Sequence, residues 1–223
     1  MKVFDAHAHK VENQDGGILI ALEGEFPYKD IFTNEGLYIF MKNESSSKFR
    51  ACYYIDKFFT PVPDNMILKY HPRLEKYSTN EVIVDIEKRQ PKLCIMDTLN
   101  QPFWSPMDYW EIARKFPHIQ FLFSHAGGYD ILEFVKFCDF SKNIWLDFSL
   151  TQEYFGWCGN AQRLNAVADV IDYCLSSDRI SSKVLFGSDN PFWSQKEAIE
   201  KYSSFEKSKD FFENNYLNLM NNI

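Results

Sequence analysis

Two histidines lie two residues apart near the start of the chain, where residues 3–9 read VFDAHAH. Alternate side chains of a strand point to the same face, so His7 and His9 would share a face at the end of this strand. Neutral imidazole is a common ligand of zinc and other transition metals, and two imidazoles on one face can reach one ion. The apolar Val3 and Phe4 indicate a buried strand and argue against two surface histidines. The spacing therefore predicts a divalent-metal site.

Three more apolar segments run directly into polar side chains. The sequence FLFSHAGG leads to His125, and VLFGSDNP leads to Asp189. The sequence MILKYHP brings Lys69 and His71 to one face of a third segment. Any one of these groups could instead cap a helix or be a hydrogen-bonded core residue. Together, on several strand ends, they predict an active site at the rim where the strands finish.

These segments belong to a series of short apolar stretches bounded by Pro, Gly, Asn or Asp, which is typical of β-strands. The predicted strands span residues 2–9, 36–41, 49–55, 66–71, 92–98, 119–125, 143–148 and 183–188, with 17–21 as a ninth candidate. The predicted helices span residues 78–89, 106–115, 129–138, 161–176 and 205–220. Strands that alternate with helices indicate an α/β protein with a parallel sheet. Eight strands in 223 residues predict a compact (β/α)8 TIM barrel with reduced helices in its first third.

The composition is that of a globular protein, with 45% hydrophobic and 25% charged residues. We expect residues 1–223 to form a single domain. The net charge is −7 and no block of Lys and Arg is present, which argues against nucleic acid or an anionic membrane as a partner. The longest apolar run, residues 18–22, is far shorter than the roughly 20 residues that a membrane helix needs.

The five cysteines, at positions 52, 94, 138, 158 and 174, are scattered and odd in number. This pattern favours buried thiols in a reducing compartment over a disulfide framework, and no pair has zinc-ribbon spacing. The N-terminal segment lacks the apolar core of a secretion signal. A cytoplasmic protein is therefore expected, and whether it forms a homo-oligomer stays open.

The order of the motifs resembles the amidohydrolase-related family of metal-dependent TIM-barrel hydrolases, in the branch that also includes aminocarboxymuconate-semialdehyde decarboxylase. DAHAH is similar to the His-x-His of the family's first strand, LKYHP to the Lys-Leu-His-Pro of the fourth, and SHAGG to the His-x-Gly-Gly of the sixth. NIWLDFS resembles the seventh-strand segment, LFGSDNP the eighth-strand Phe-Gly-Ser-Asp-x-Pro, and NYLNLM the closing Asn-Ala-x-Arg-Leu-Leu. The resemblance covers nearly the whole chain and implies the barrel fold.

One position departs from the family pattern. The family usually ends its fifth strand with a metal-binding His, and here Asp97 takes that place in LCIMDTL. A carboxylate can also bind a divalent ion and would favour manganese or zinc, but the exchange could equally mean a weakly held or absent metal. Some relatives bridge two metals with a carbamylated fourth-strand Lys. The Lys-x-His-Pro pattern from Lys69 is more typical of relatives with one metal.

The resemblance implies one divalent ion, zinc first and manganese as the alternative. Its predicted ligands are His7, His9 and Asp189, with Asp97 as a weaker fourth. The ion would lower the pKa of a water molecule from 15.7 toward about 7. Asp189 would act as general base and then general acid, and His125 would polarise the substrate carbonyl.

The predicted substrate is a small anionic or planar molecule. Its predicted contacts are Lys69, His71, Trp104 and Trp193, and the loops at 102–108 and 152–160 would set its identity. The predicted reaction is hydrolysis of an amide, cyclic amide, ester or lactone. Two alternatives remain at this stage: a metal-dependent decarboxylase of a carboxylated aromatic or muconate-like compound, and a degenerate barrel that binds a ligand without turnover.

Overall fold

The computed structural model describes residues 1–28, 30–44, 48–99, 104–149, 161–204 and 206–223, without the side chains of 161–168. Eight parallel strands form a nearly closed barrel. The strands are β1 (Phe4–Ala8), β2 (Gly16–Ile20), β3 (Phe49–Ile55), β4 (Ile67–Tyr70), β5 (Leu93–Asp97), β6 (Gln120–Ser124), β7 (Ile144–Asp147) and β8 (Val184–Leu185). The predicted (β/α)8 TIM barrel is confirmed.

Eight α-helices accompany the strands in the described part of the chain. They are α1 (Asn34–Asn43), α2 (Pro72–Glu75), α3 (Thr79–Arg89), α4 (Pro106–Lys115), α5 (Ile131–Phe140), α6 (Ala161–Ser176), α7 (Gln195–Tyr202) and α8 (Asn215–Asn221). The connections at 9–15 and 56–66 contain no helix, so the predicted reduction of helices in the first third is confirmed.

The strands follow one another around the barrel in chain order, each paired in parallel with the next. The seam between β8 and β1 is closed by the backbone N–H of Ala6, which donates to the carbonyl of Phe186 at 2.8 Å. Two residues further along β1, Ala8 forms a parallel bridge with Asn190. The seam therefore brings the chain just after β8 beside the histidines of β1.

Apolar side chains fill the barrel interior, as in Ile18 of β2, Ile95 of β5 and Leu122 of β6, all with no exposed surface. The C-terminal helix α8 covers the end of the barrel where the strands begin, and the ring of Tyr216 stacks on Phe4 at 4.9 Å. Covering that end leaves the opposite end, where the strands finish, as the open end of the barrel.

The predicted strand at 36–41 is wrong, because these residues lie in helix α1. The side chain of Thr33 caps the helix by accepting from the N–H of Gly36 at 3.1 Å. Leu37 is the buried residue of this helix, whereas Tyr38 and Ile39 are about half exposed. Residues 36–41 therefore bury only the helix face that carries Leu37, whereas a buried strand would cover both of its faces. The second strand is instead β2, which the ninth candidate at 17–21 marks to within one residue.

The predicted helix at 205–220 is divided. A π-helical turn spans Asp210–Asn214 and leads directly into α8. Helices α2 and α7 lie outside the predicted set. Cys52, Cys94, Cys138 and Cys174 are free and buried, as expected for core thiols, and Cys158 lies outside the described residues. Among the helices that the structure describes, none has both the length and the apolar character to cross a bilayer.

Candidate active site

A cavity of about 360 Å³ opens at the end of the barrel where the strands finish. Its lining is a mixture of polar groups from the strand ends and apolar side chains from the following loops. The lining residues are His7, His9, Leu22, Phe26, Tyr28, Lys69, His71, Arg73, Leu74, Asp97, Leu99, His125, Asp189 and Phe192. The structure thus brings seven of the nine sequence-predicted site residues into a single cavity, namely His7, His9, Lys69, His71, Asp97, His125 and Asp189.

Asp189 follows β8 at the seam and lies beside the histidines at the end of β1. Its Oδ1 atom lies 3.2 Å from Nε2 of His7 and 3.1 Å from Nε2 of His9. The backbone N–H of Asp189 donates to the carbonyl of His7 at 2.7 Å, which fixes the carboxylate beside both rings. The Nδ1 atom of His9 lies 2.8 Å from the carbonyl oxygen of Ile20. A carbonyl can only accept, so this Nδ1 donates, and Nε2 is the ring nitrogen that faces Asp189.

His125 follows β6 and faces the same centre. Its ring lies 5.0 Å from that of His7, and its Nδ1 lies 2.8 Å from the carbonyl oxygen of Ser149. His125 and Asp189 both adopt left-handed backbone conformations, with φ of 63° and 60°. Such conformations cost non-glycine residues roughly 1–3 kcal/mol and cluster at functional sites. Gly127 makes the turn after His125 feasible, because a Cβ there would lie 2.2 Å from the ring of Phe134.

Asp97 lies on the other side of His125, where β5 ends. Its Oδ1 is 3.3 Å from Nε2 of His125, and its Oδ2 is 3.4 Å from both Nδ1 of His71 and Nε of Arg73. A buried carboxylate thus has three cationic or imidazole neighbours on the cavity wall. Asp97 therefore contacts His125, His71 and Arg73 on the cavity wall.

The ionisation of the carboxylates follows from these neighbours. Burial raises the pKa of Asp189, but the adjacent His7, His9 and His125 outweigh it, and the pKa falls below its ordinary value. Burial likewise raises the pKa of Asp97, and His71, His125 and Arg73 bring it well below the ordinary value. Both groups are therefore carboxylates at neutral pH.

The histidines respond in opposite directions. Burial and the charge of Lys69 lower the pKa of His7 to about 4. Burial lowers the pKa of His71 to about 3, with Asp97 opposing it. Burial also acts to lower the pKa of His125, but its hydrogen bond to Asp97 and the surrounding carboxylates raise it overall. His125 is thus the histidine best suited to carry a proton near neutrality.

Two cations reach the cavity from β4 and α2. Lys69 is buried, and its Nζ donates to the hydroxyl of Ser124 at 2.8 Å. Arg73 is one-third exposed, with its Nε directed to Asp97. Three aromatic rings also line the cavity, and those of Phe26 and Tyr28 pack edge-on against Phe192, at 5.9 and 5.3 Å. The cavity lining therefore combines cationic and aromatic groups.

The two predicted tryptophan contacts are not among the residues that line the cavity in the described part of the chain. Trp104 is buried in the core, where its Nε1 donates to the carbonyl of Tyr77 at 3.3 Å and its ring packs on Tyr109. Trp193 is partly buried against the outer core. Residues 100–103 and 150–160 lie outside the described residues, and with them most of the two loops expected to set the substrate.

Comparison with known proteins agrees with this geometry. A sequence profile described as amidohydrolase matches residues 65–213, more than half of the chain. The chain belongs to the amidohydrolase family. A search of curated proteins gives no significant match.

Two solved structures share the fold of this amidohydrolase-family chain. An uncharacterised TIM-barrel protein from Bordetella bronchiseptica is 14% identical with a TM-score of 0.65, and the match covers 94% of this chain and 79% of that one. A probable 2-pyrone-4,6-dicarboxylic acid hydrolase from Acinetobacter baumannii, with citric acid bound, is 12% identical with a TM-score of 0.62. This second match covers 99% of this chain and 100% of the other.

The donor atoms are spaced as a divalent ion requires. One ligand atom from each of His7, His125 and Asp189 lies within 4.8 Å of the others, and His9 joins this group through Asp189. Bonds of about 2.0–2.1 Å at a tetrahedral zinc place neighbouring ligand atoms about 3.3 Å apart. The contacts of 3.1 and 3.2 Å around Asp189 match that spacing. The residues therefore fit a divalent ion. Among the described residues the close group is His7, His125 and Asp189, so the predicted ligand His9 reaches it only through Asp189, and Asp97 is outside it.

Sequence reasoning missed three polar residues of this region. Arg73, which follows His71 and Pro72 in the chain, lines the cavity. Asp147 and Ser149 contact the ring of His7 at its Nδ1 atom. Asp147 ends an apolar strand just as Asp97 does, so the same signal could have found it. Arg73 has no such signal, because its place depends on the short helix α2.

Proposed function

We propose that this chain is a metal-dependent hydrolase that cleaves an amide, ester or lactone bond in a small carboxylate-bearing molecule. The observation that supports it best is the convergence of His7, His9, His125 and Asp189 in one cavity at the end of the barrel where the strands finish. Active sites of TIM-barrel enzymes lie at that end.

The ion is proposed to be held by His7, His9 and Asp189, with zinc as the first candidate and manganese as the second. When bound, a divalent ion supplies Lewis acidity and brings the pKa of water from 15.7 to about 7. Asp97 is kept as a proposed fourth ligand of lower rank, because its oxygens face His125, His71 and Arg73.

The protein's own groups would handle the protons. Asp189 enters the reaction ionised, so it can accept a proton from the attacking water and pass it to the leaving group. His125, whose pKa is raised, can donate a hydrogen bond to the substrate carbonyl and stabilise the oxyanion that develops there. Both Asp189 and His125 lie close to the ring of His7, which supports the proposal that the two events occur at one carbonyl group.

The cavity favours an anionic substrate. Lys69 is buried and forms no ion pair with a carboxylate among the described residues, and Arg73 also lines the cavity. Guanidinium groups bind carboxylates well because their N–H groups match the two oxygens. Phe26, Tyr28 and Phe192 would cover a flat apolar part of the same molecule. The probable dicarboxylic acid hydrolase among the structural neighbours is consistent with this class.

A substrate panel tests the proposal. The purified protein, stripped of metal and then loaded with zinc or manganese, is assayed against carboxylated lactones, esters and amides, with each uncharged methyl ester or amide as the matched compound. We expect metal-dependent hydrolysis that favours the carboxylates. Metal-dependent release of carbon dioxide without hydrolysis would replace the proposal with a decarboxylase. A folded, metal-loaded protein that turns over no compound of the panel would count against it.

A further inference from the structure

Asp147 and Ser149 lie behind the cavity, at the end of β7. Both are buried, with no more than 1% exposure. The Oδ1 atom of Asp147 accepts from the N–H of His125 at 3.3 Å, from the N–H of Ser149 at 3.0 Å, and from the hydroxyl of Ser149. The Oδ2 atom of Asp147 lies 3.4 Å from Nδ1 of His7. The carboxylate of Asp147 therefore contacts the ring of His7 and the backbone N–H of His125.

The hydroxyl of Ser149 joins the two rings. Its oxygen lies 3.0 Å from Nδ1 of His7 and 3.1 Å from Nδ1 of His125. A serine hydroxyl has one proton, and here it is donated to Asp147. The oxygen can then only accept from the imidazoles. His125 also meets the carbonyl of Ser149 at 2.8 Å, which again requires its Nδ1 to donate.

Both ring nitrogens of His7 face acceptors, and Nε2 faces one of them, Oδ1 of Asp189 at 3.2 Å. Its Nδ1 faces two acceptors, the Ser149 oxygen and Oδ2 of Asp147. We infer that Asp147, directly and through Ser149, holds the proton of His7 on Nδ1, which leaves the lone pair of Nε2 for an ion bound beside Asp189. Asp147 is thereby a positioning residue for the imidazole of His7. Hydrogen bonds to the second ring nitrogen of a metal-binding histidine commonly fix its tautomer and orientation.

Close packing and a backbone hydrogen bond restrict the movement of the His7 side chain. Gly187 lies against it, and a Cβ at that position would come within 2.9 Å of the Cβ of His7 and 3.0 Å of Oδ1 of Asp147. The backbone N–H of His7 is held by the carboxylate of Asp5 at 3.0 Å. The two acceptors at Nδ1 favour this tautomer over the single acceptor at Nε2, and its value for metal binding rests on the proposed function.

The first test measures the tautomer in the metal-free wild-type protein. Long-range proton–nitrogen NMR of ¹⁵N-histidine-labelled protein at pH 8 distinguishes Nδ1–H from Nε2–H, because an imidazole of ordinary pKa, about 6.5, is neutral there. Loss of one signal in His7→Gln assigns His7, and the exposed His118 serves as the internal reference. We expect the proton of His7 on Nδ1. A proton on Nε2 would overturn the inference without any variant of Asp147.

The second test uses Asp147→Asn, with Ser149→Ala as the matched control. The amide oxygen of Asn has to replace Oδ1, which accepts three hydrogen bonds, so the amide N–H group replaces Oδ2 and faces Nδ1 of His7. We expect the proton of His7 to move to Nε2 in Asp147→Asn and to stay on Nδ1 in Ser149→Ala, where Oδ2 remains. Unchanged His7 signals in a folded Asp147→Asn would contradict the inference.

Zinc affinity gives a readout that does not depend on turnover. Losses of this kind of supporting residue typically cost about 10–100-fold in metal affinity. We expect at least tenfold weaker zinc binding in Asp147→Asn by competitive titration, and a smaller loss in Ser149→Ala. Equal affinity in wild type and Asp147→Asn would reject the positioning role. Failure of the wild type itself to bind zinc would instead reject the proposed function and leave the tautomer measurement to decide the inference.

Discussion

The Oδ1 atom of Asp97 lies 3.3 Å from Nε2 of His125, so the residue that stands in place of the family's fifth-strand histidine is paired with the sixth-strand histidine. This contact raises the pKa of His125, against the effect of burial. Asp97→Asn should therefore lower the pKa of His125, since burial would then act with less opposition. An NMR titration of the metal-free protein measures this. An unchanged pKa would mean that the pair has no electrostatic effect.

The same variant also ranks Asp97 as a ligand. Because Asp97 is outside the group of close donor atoms, we expect Asp97→Asn to change zinc affinity by less than about threefold. His7→Ala is the comparison, and it should lose far more. A loss of tenfold or more in Asp97→Asn would restore Asp97 to the ligand set that the sequence predicts.

Asp189→Asn should lower turnover far more than it lowers stability. The amide can still accept hydrogen bonds but cannot take up the proton, and loss of a general base typically costs about 10²–10⁴-fold in rate. Turnover is measured on the best substrate of the panel, and the free energy of unfolding is measured in urea. Near wild-type turnover would remove Asp189 from the proton transfer.

Arg73→Gln should raise KM for a carboxylated substrate at least tenfold while leaving the matched uncharged compound nearly unaffected. The reason is that Arg73 contributes a cation to the cavity wall. Arg114→Gln, an exposed arginine on α4, is the control for a simple change in net charge. An equal rise in KM for both compounds would show that Arg73 supports the shape of the cavity and does not recognise an anion.

His71 makes the metal-free protein sensitive to acid. Burial, with opposition from Asp97, lowers its pKa in the folded state to about 3. Below its ordinary value of about 6.5 the unfolded chain takes up a proton that the folded chain does not, so stability falls as the pH falls. Relative to His71→Asn, the wild type should lose up to about 1.4 kcal/mol per pH unit between pH 6 and 4. Urea unfolding at several pH values checks this, and a constant difference between the two proteins would refute it.

The fold was predictable because most strands carry their own signal. The apolar runs around Ile95, Leu122 and Leu146 are short and bounded, and each became a barrel strand. The strand predicted at 36–41 is wrong for a physical reason. Leu37, Tyr38 and Ile39 have the composition of a strand, but the Thr33 cap and tertiary packing stabilise a helix there. Helix α2 is four residues long and was too short to leave a periodic pattern.

The site was predictable where a functional group ends a strand and less so elsewhere. His7, His9, His125 and Asp189 all follow from strand ends that meet at one rim. Spacing along the chain does not show whether the side chain of Asp97 points toward the predicted metal ligands or toward Arg73, because its direction depends on the surrounding side chains. Trp104 looked available in the sequence, but the rings of Tyr77 and Tyr109 enclose it in the core.

Metal stoichiometry tests the central proposal most directly. The wild type and a His7→Ala/His9→Ala double variant are loaded with zinc, freed of excess ion and analysed for metal and protein, with circular dichroism as the check of folding. The account predicts about one zinc per wild-type chain and none in the folded double variant. A wild type that retains no zinc or manganese, or a double variant that retains as much as the wild type, would contradict it.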